Sequence, residues 1–152
     1  MIHGISATTL PDGFPYKAII EDLCGSTFFP CLVGAIKLNE TGTGFGPVTE
    51  NDISGDGGRG VMQLTSSYPS NWQDPKANIR YAIKHFLVPA MNEWSSELQG
   101  DDLVRAIAAT YNAGLGNAQA GHKIGDIDAY TTNRYGERCL KRYQALLQGM
   151  VE

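Results

Sequence analysis

The chain has 152 residues, 42% hydrophobic and 18% charged, the composition of one ordinary folded domain rather than a disordered segment. Lys and Arg number 12 against 16 Asp and Glu, a formal net charge of −4. That balance lacks the basic excess of a nucleic-acid surface, so no nucleic-acid partner is expected. No apolar run approaches the ~20 residues that cross a bilayer, so no integral membrane segment is expected either.

Residues 1–14 read as an irregular lead-in, punctuated by Pro11 and Gly13. Met1-Ile2-His3-Gly4 has no basic stretch followed by an apolar one, and no secretory signal is expected. Pro15 suits a helix start, giving a short helix from Tyr16 to Leu23 ended by Gly25. A second helix is predicted from about Phe29 to Asn39, with Leu32, Ala35, Ile36 and Leu38 at roughly helical spacing. Thr41-Gly42-Thr43-Gly44 continues a helix poorly, so Glu40 falls at its C-terminal end.

Gly42 to Gly60 is rich in Gly, Asp, Asn and Ser. It reads as a long loop or short hairpin, and loops of that length in folded domains are often functional. Val61-Met62-Gln63-Leu64 returns to the core, and Ser70 to Pro75 makes a second turn. A stripe follows at Ile79, Ala82, Ile83, Phe86, Leu87, Ala90, Met91, Trp94 and Leu98. Pro89 should kink or split that helix. Asp101 and Asp102 suit the start of the next, Leu103 to Tyr111, with Gly114 and Gly116 ending it. Thr132 or Asn133 can cap a last helix running to Leu147 and closed by Gly149. The expected fold is a single all-α domain over residues 1–152, with a small hairpin or loop lobe in the Gly-rich region.

Cys24, Cys31 and Cys139 make an odd count, which argues against a closed disulfide framework. Cys24 and Cys31 would bridge only if the turn between them brings them close; buried free thiols are the simpler reading. His3, His85 and His122 lie far apart, with no metal-ligand spacing to a cysteine. No metal and no cofactor is expected.

The informative residues are acidic. Glu40 lies four residues after Ile36, so helix geometry puts both on one face. A carboxyl at the edge of the core has its pKa raised, which suits a general acid near neutral pH. Glycosidases need such a donor for the leaving oxygen, and often a second carboxylate to place water or form a covalent bond. Glu50, Asp52 and Asp56 are candidates for the second group. Lys37, one turn before Glu40, is a competing partner that would pull its pKa down. A solvated carboxylate at a helix end is the plain alternative.

Three patterns bear on that choice: Glu40-Thr41-Gly42, then Gly58-Arg59-Gly60-Val61-Met62-Gln63-Leu64, then Ala109-Thr110-Tyr111-Asn112-Ala113-Gly114. With Thr131-Thr132-Asn133-Arg134-Tyr135 in the last helix region, their order resembles the lysozyme-like superfamily, specifically lytic transglycosylases and goose-type lysozymes, some of them phage endolysins. The resemblance runs from about Leu32 to Tyr143. It implies that Glu40 protonates the β-1,4 bond between N-acetylmuramic acid and N-acetylglucosamine. It also implies that Gln63, Tyr111, Asn112 and Tyr135 line the cleft, and that Thr41 hydrogen-bonds where transglycosylases carry Ser. Met62 reads as core, and Asn112 equally as a helix C-terminal cap.

Two reactions fit. Hydrolysis needs a carboxylate to hold water, with Asp56 as the candidate and Asp52 in reserve. Transglycosylation needs none, because the muramyl C6 hydroxyl attacks C1 and leaves a 1,6-anhydro product. The 20 positions from Glu40 to Gly60 are nearer the goose-type spacing and tilt the reading towards hydrolysis. Arg59 is a candidate for a lactyl or stem-peptide carboxylate, or a partner for Asp56. The expected partner is the peptidoglycan glycan strand, with the chain acting as a monomer at the wall. Without a signal it would wait in the cytoplasm for release, or be the remainder of a longer chain. Arg134, Arg138, Lys141 and Arg142 read as a solvated basic face, with transient envelope contact as the alternative. A non-catalytic wall-binding module is the rival from another class.

Overall fold

The structure is a computed structural model that describes residues 1–43, 53–55 and 57–151. Among the described residues seven α-helices follow the lead-in: α1 (Lys17–Cys24), α2 (Pro30–Thr41), α3 (Pro75–Ala82), α4 (Val88–Trp94), α5 (Gly100–Ala113), α6 (Leu115–Lys123) and α7 (Tyr135–Leu147). A π-helical turn, Ile83–Leu87, joins α3 to α4. The all-helical class expected from the sequence is observed.

Helix α2 is the central element. Every residue from Pro30 to Leu38 is buried, as expected of a helix apolar on all sides. It packs against α1 on one side and α7 on another, and α7 packs in turn on α5. Gly34 makes the close approach possible. A Cβ there would stand 2.7 Å from the Leu10 side chain and 3.2 Å from that of Leu146, so the lead-in and α7 both seat on the bare backbone of α2. The lead-in is therefore irregular but anchored. Leu10 and Phe14 are buried, the Ser6 amide donates to the Tyr143 hydroxyl at 3.0 Å, and the Cys31 thiol donates to the Thr8 carbonyl at 3.3 Å.

Several expectations are corrected. No β-strand occurs among the described residues. Among the described residues in and after the Gly-rich region there are isolated bridges, Ile53 with Arg59 and Arg59 with Leu64, and no hairpin. Helix α1 begins at Lys17 because Tyr16 is left-handed at φ 60°, so Pro15 lies outside it. Neither Thr132 nor Asn133 caps α7 through its side chain. Asn133 and Arg134 are both left-handed, with Arg134 at the cap position. Gly116 does not end a helix but lies inside α6, an element the sequence reading lacked.

Pro89 falls just after the point where the expected helix is divided, by the π turn, into α3 and α4. It sits at the second position of α4, directly after the π turn. A proline cannot donate to the carbonyl four residues back and collides with it; a widened turn accommodates both problems. The three cysteines are buried and free, so Cys24 and Cys31 are not bridged. Among the described residues no helix is long and apolar enough to cross a membrane.

Candidate active site

Glu40 lies half-buried in the last turn of α2. The hydroxyl of Tyr135, the first residue of α7, donates to its Oε2. Tyr135 is itself buried. Burial, the Cys139 thiol and the Glu40 carboxylate together push its phenol well above the ordinary range, so it remains a hydrogen-bond donor. Tyr111, on α5, is pushed up by burial and by Glu40 as well, and its hydroxyl donates to the Met62 carbonyl. Glu40 thus sits in the electrostatic reach of two neutral phenols.

The wall opposite α7 is the turn from Gly57 to Leu64. Met62 is fully buried, as core packing requires. Thr41 Oγ1 donates to the Val61 carbonyl at 2.9 Å, tying the end of α2 to this turn. Gln63 is left-handed at φ 52°, and its Nε2 donates to the Gly60 carbonyl at 3.0 Å. Arg59 donates to the Gly57 carbonyl at 3.0 Å, with its guanidinium 4.1 Å from the Tyr68 ring centroid. Asp56, with Glu50 and Asp52, lies outside the described residues, so neither its water-holding role nor its pairing with Arg59 is placed.

Two buried polar groups that sequence reasoning missed hold these walls. Asn78, on α3, is fully buried. Its Oδ1 accepts from the Met62 amide at 2.9 Å, and its Nδ2 donates to the carbonyls of Arg59 and Trp72. Gly60 lies so close to this carboxamide that a Cβ would fall 2.4 Å from Nδ2. On the other wall, Asp128 accepts from Arg105 Nε at 2.8 Å and Thr131 Oγ1 at 2.8 Å. It also accepts from the amides of Gly136 at 2.7 Å and Glu137 at 3.0 Å. Burial raises the Asp128 pKa, but these donors outweigh it and hold the carboxyl below the ordinary range. Asp128 therefore caps α7 from a distance and fixes the turn that carries Tyr135. A Cβ on Gly136 would lie 2.8 Å from both the Arg105 carbonyl and Asp128 Oδ1. The sequence signal was faint: an aspartate well upstream of a helix for which Thr132 and Asn133 read as the nearer caps.

Tyr111 also borders a groove of about 530 Å³. Gln63 and Asn112 give it amides, Phe86 an aromatic face, and His85 and Glu93 a titratable rim. Phe86 meets Tyr111 edge-on at 6.1 Å, and Tyr81 stacks on His85 at 4.1 Å. Asn112 Oδ1 accepts from the Thr132 amide at 2.8 Å, so it ties α5 to the loop before α7 rather than capping its own helix through Oδ1. The structure thus brings Glu40, Thr41, Gln63, Tyr111, Asn112 and Tyr135 into one neighbourhood.

Lys37 is buried, and its Nζ donates to the Gly42 carbonyl at 2.6 Å. Burial lowers its pKa to about 8. On α7, Arg134 is engaged by Asp126 and Glu137, and Arg138 by the Asn133 carbonyl. Among the described residues no group of His, Cys, Asp and Glu is arranged to hold a metal.

No family model matches the chain, and no curated protein matches its sequence. The resemblance to lysozyme-like enzymes is therefore corrected. That superfamily carries a β-lobe beside its cleft, and no β-strand stands among the described residues here. Four local motifs in a familiar order did not amount to a family.

Proposed function

We propose that the protein is a glycosidase acting on the β-1,4-linked, N-acetylated glycan strand of peptidoglycan, with Glu40 as general acid. The observation that carries this reading is the Tyr135 hydroxyl on Glu40 Oε2 at the half-buried end of α2. With Oε2 accepting from Tyr135, the transferable proton belongs on Oε1. A carboxyl oriented by a neutral phenol delivers its proton along one direction. Tyr111 links this group to the groove, whose amides and rings suit acetamido groups and sugar faces. Hydrolysis is the reaction we assign, with water activated from the Gly-rich segment that follows Glu40.

The test is mass spectrometry of muropeptides released from purified peptidoglycan. Glu40→Gln, run beside the native protein, should lower release by about 10²–10⁴-fold while the far-ultraviolet circular dichroism is unchanged. Products with a free reducing end support hydrolysis. Products lighter by one water, with an anhydro-muramyl end, replace hydrolysis by internal attack and keep Glu40 as acid and base. No release by the native protein, with retained binding to the polymer, would replace the enzyme by a wall-binding module.

A further inference from the structure

A second concavity of about 300 Å³ opens on the other side of the π turn. Its apolar lining is Leu23 of α1, Ile83 of the π turn and Val88 of α4, and its cations are Arg80 and Lys84. Lys76, Arg80 and Lys84 follow one another at four-residue spacing and are all exposed. They follow one another along α3 and the π turn, with Arg80 and Lys84 at the concavity itself. None of the three makes an ion pair or hydrogen bond through its side chain among the described residues. The nearby acids leave them so: Asp22 is exposed and pairs with none of them, and Asp74 is turned to the Ala77 amide as the cap of α3. The contrast with α7 is direct, because there Arg134 and Arg138 are already engaged by the protein's own acceptors.

We propose that this concavity is a docking site for an anionic phospholipid at a membrane surface. The phosphate would lie between Arg80 and Lys84, and the glycerol and first acyl carbons against Leu23, Ile83 and Val88. Charge complementarity selects the headgroup: a chain of net charge −4 sets three unpartnered cations along α3 and the π turn. The apolar lining selects an amphiphile over a bare anion, since a free phosphate gains nothing from Leu23 or Val88. Three cations with one small apolar contact give reversible attachment rather than insertion. The proposal does not depend on Glu40. It has a spatial consequence for the groove, however. Ile83 and Lys84 face the lipid site while His85 and Phe86 line the groove, so the two sites share the π turn as a common wall.

The experiment is co-sedimentation of the whole chain with vesicles of phosphatidylcholine alone or mixed with phosphatidylglycerol. Binding is expected only with the anionic lipid and should fall as salt rises. The Arg80→Glu/Lys84→Glu pair should weaken it at least about 30-fold, with the thermal melt unchanged. Val88→Ser should weaken it by a smaller factor. The Lys141→Glu/Arg142→Glu pair on α7 should weaken it less than the Arg80 and Lys84 pair. Equal losses in the two pairs would mean diffuse attraction and overturn the proposal, as would equal binding to neutral vesicles or no binding. Full displacement by inorganic phosphate at constant ionic strength would make this an anion site without lipid, and would overturn it too. An unchanged Val88→Ser variant would overturn the seating of the lipid against the apolar lining.

Discussion

The two walls around Glu40 are built on different chemistry. The α7 wall hangs on a buried charge, Asp128, with donors from a guanidinium, a hydroxyl and two amides. The turn from Gly57 to Leu64 hangs on a buried neutral group, the Asn78 carboxamide. Both satisfy backbone groups that would otherwise be stranded away from water. The difference lies in how each responds to its surroundings. A charged anchor has larger stakes and a pH dependence, whereas a carboxamide holds its wall at any pH. The region around Glu40 therefore has one wall that acid can loosen and one that acid leaves alone.

The sharpest way to break this comparison is to remove each anchor. Asp128→Ala should cost about 3 kcal/mol, the low end for breaking a buried pair, because the Arg105 side chain keeps 27% of its exposure. Asn78→Ala should cost about 2 kcal/mol by stranding the Met62 amide and two carbonyls. Urea unfolding of both variants measures the order. A larger loss for Asn78→Ala would show that charge is not what makes the α7 anchor strong.

The pH dependence sharpens it further. The Asp128 carboxyl is held below its ordinary range, so its contribution is present above about pH 4 and lost as pH falls through the lower folded value. Asp128→Asn should flatten that acid limb, and the Asn78→Ala variant should keep it. At the alkaline end the end of α2 responds instead. Lys37 has its pKa lowered from 10.5 to about 8, so between those values the unfolded chain binds more protons and stability rises with pH. That rise, at most about 3 kcal/mol and reduced by whatever water reaches the amine, should vanish in Lys37→Met. Thermal melts of the native chain against Lys37→Met from pH 7 to pH 10 would show it as a difference, because above about pH 9 the three thiols, held up by burial, make stability fall with pH in both chains. A matching rise in Lys37→Met would assign the effect to other groups.

The smallest expected effect on stability falls at the contact where the walls meet. Tyr135→Phe removes one hydrogen bond to Glu40 and should cost about 1 kcal/mol. Its effect on glycan cleavage should be larger, and seen in kcat more than KM, if the phenol orients the acid. An unchanged kcat would remove Tyr135 from the mechanism while leaving Glu40 in it.

Much of the helical scaffold was legible because apolar spacing is a strong signal over several turns. Helix α2 followed from the spacing of Leu32, Ala35, Ile36 and Leu38, and the placement of Glu40 at its end from Thr41-Gly42-Thr43-Gly44, which continues a helix poorly. Other features were illegible for identifiable reasons. Helix α6 begins between two glycines, and Leu115-Gly116-Asn117-Ala118 has too little periodicity to announce itself. The π turn has no residue signature beyond the Pro89 that follows it. Left-handed Tyr16 and Arg134 occupy a conformation that such side chains seldom adopt, so the starts of α1 and α7 were misjudged. Asp128 and Asn78 look like any surface polar residue until the chain folds round them. The motif around Glu40 was misleading as ancestry.

The three thiols have a practical use. One each is buried in α1, α2 and α7. Burial, followed by the Glu21 carboxylate, pushes Cys24 to about 12 and Cys31 to about 11, while burial and Glu40 push Cys139 up as well. A thiol reagent that needs the thiolate will find almost none in the native protein. Labelling therefore waits for each helix to open, and the rate at each cysteine reports that opening. Peptide mapping after partial alkylation would then rank α1, α2 and α7 by how often they part from the core, a stopwatch for each helix that requires no engineered probe.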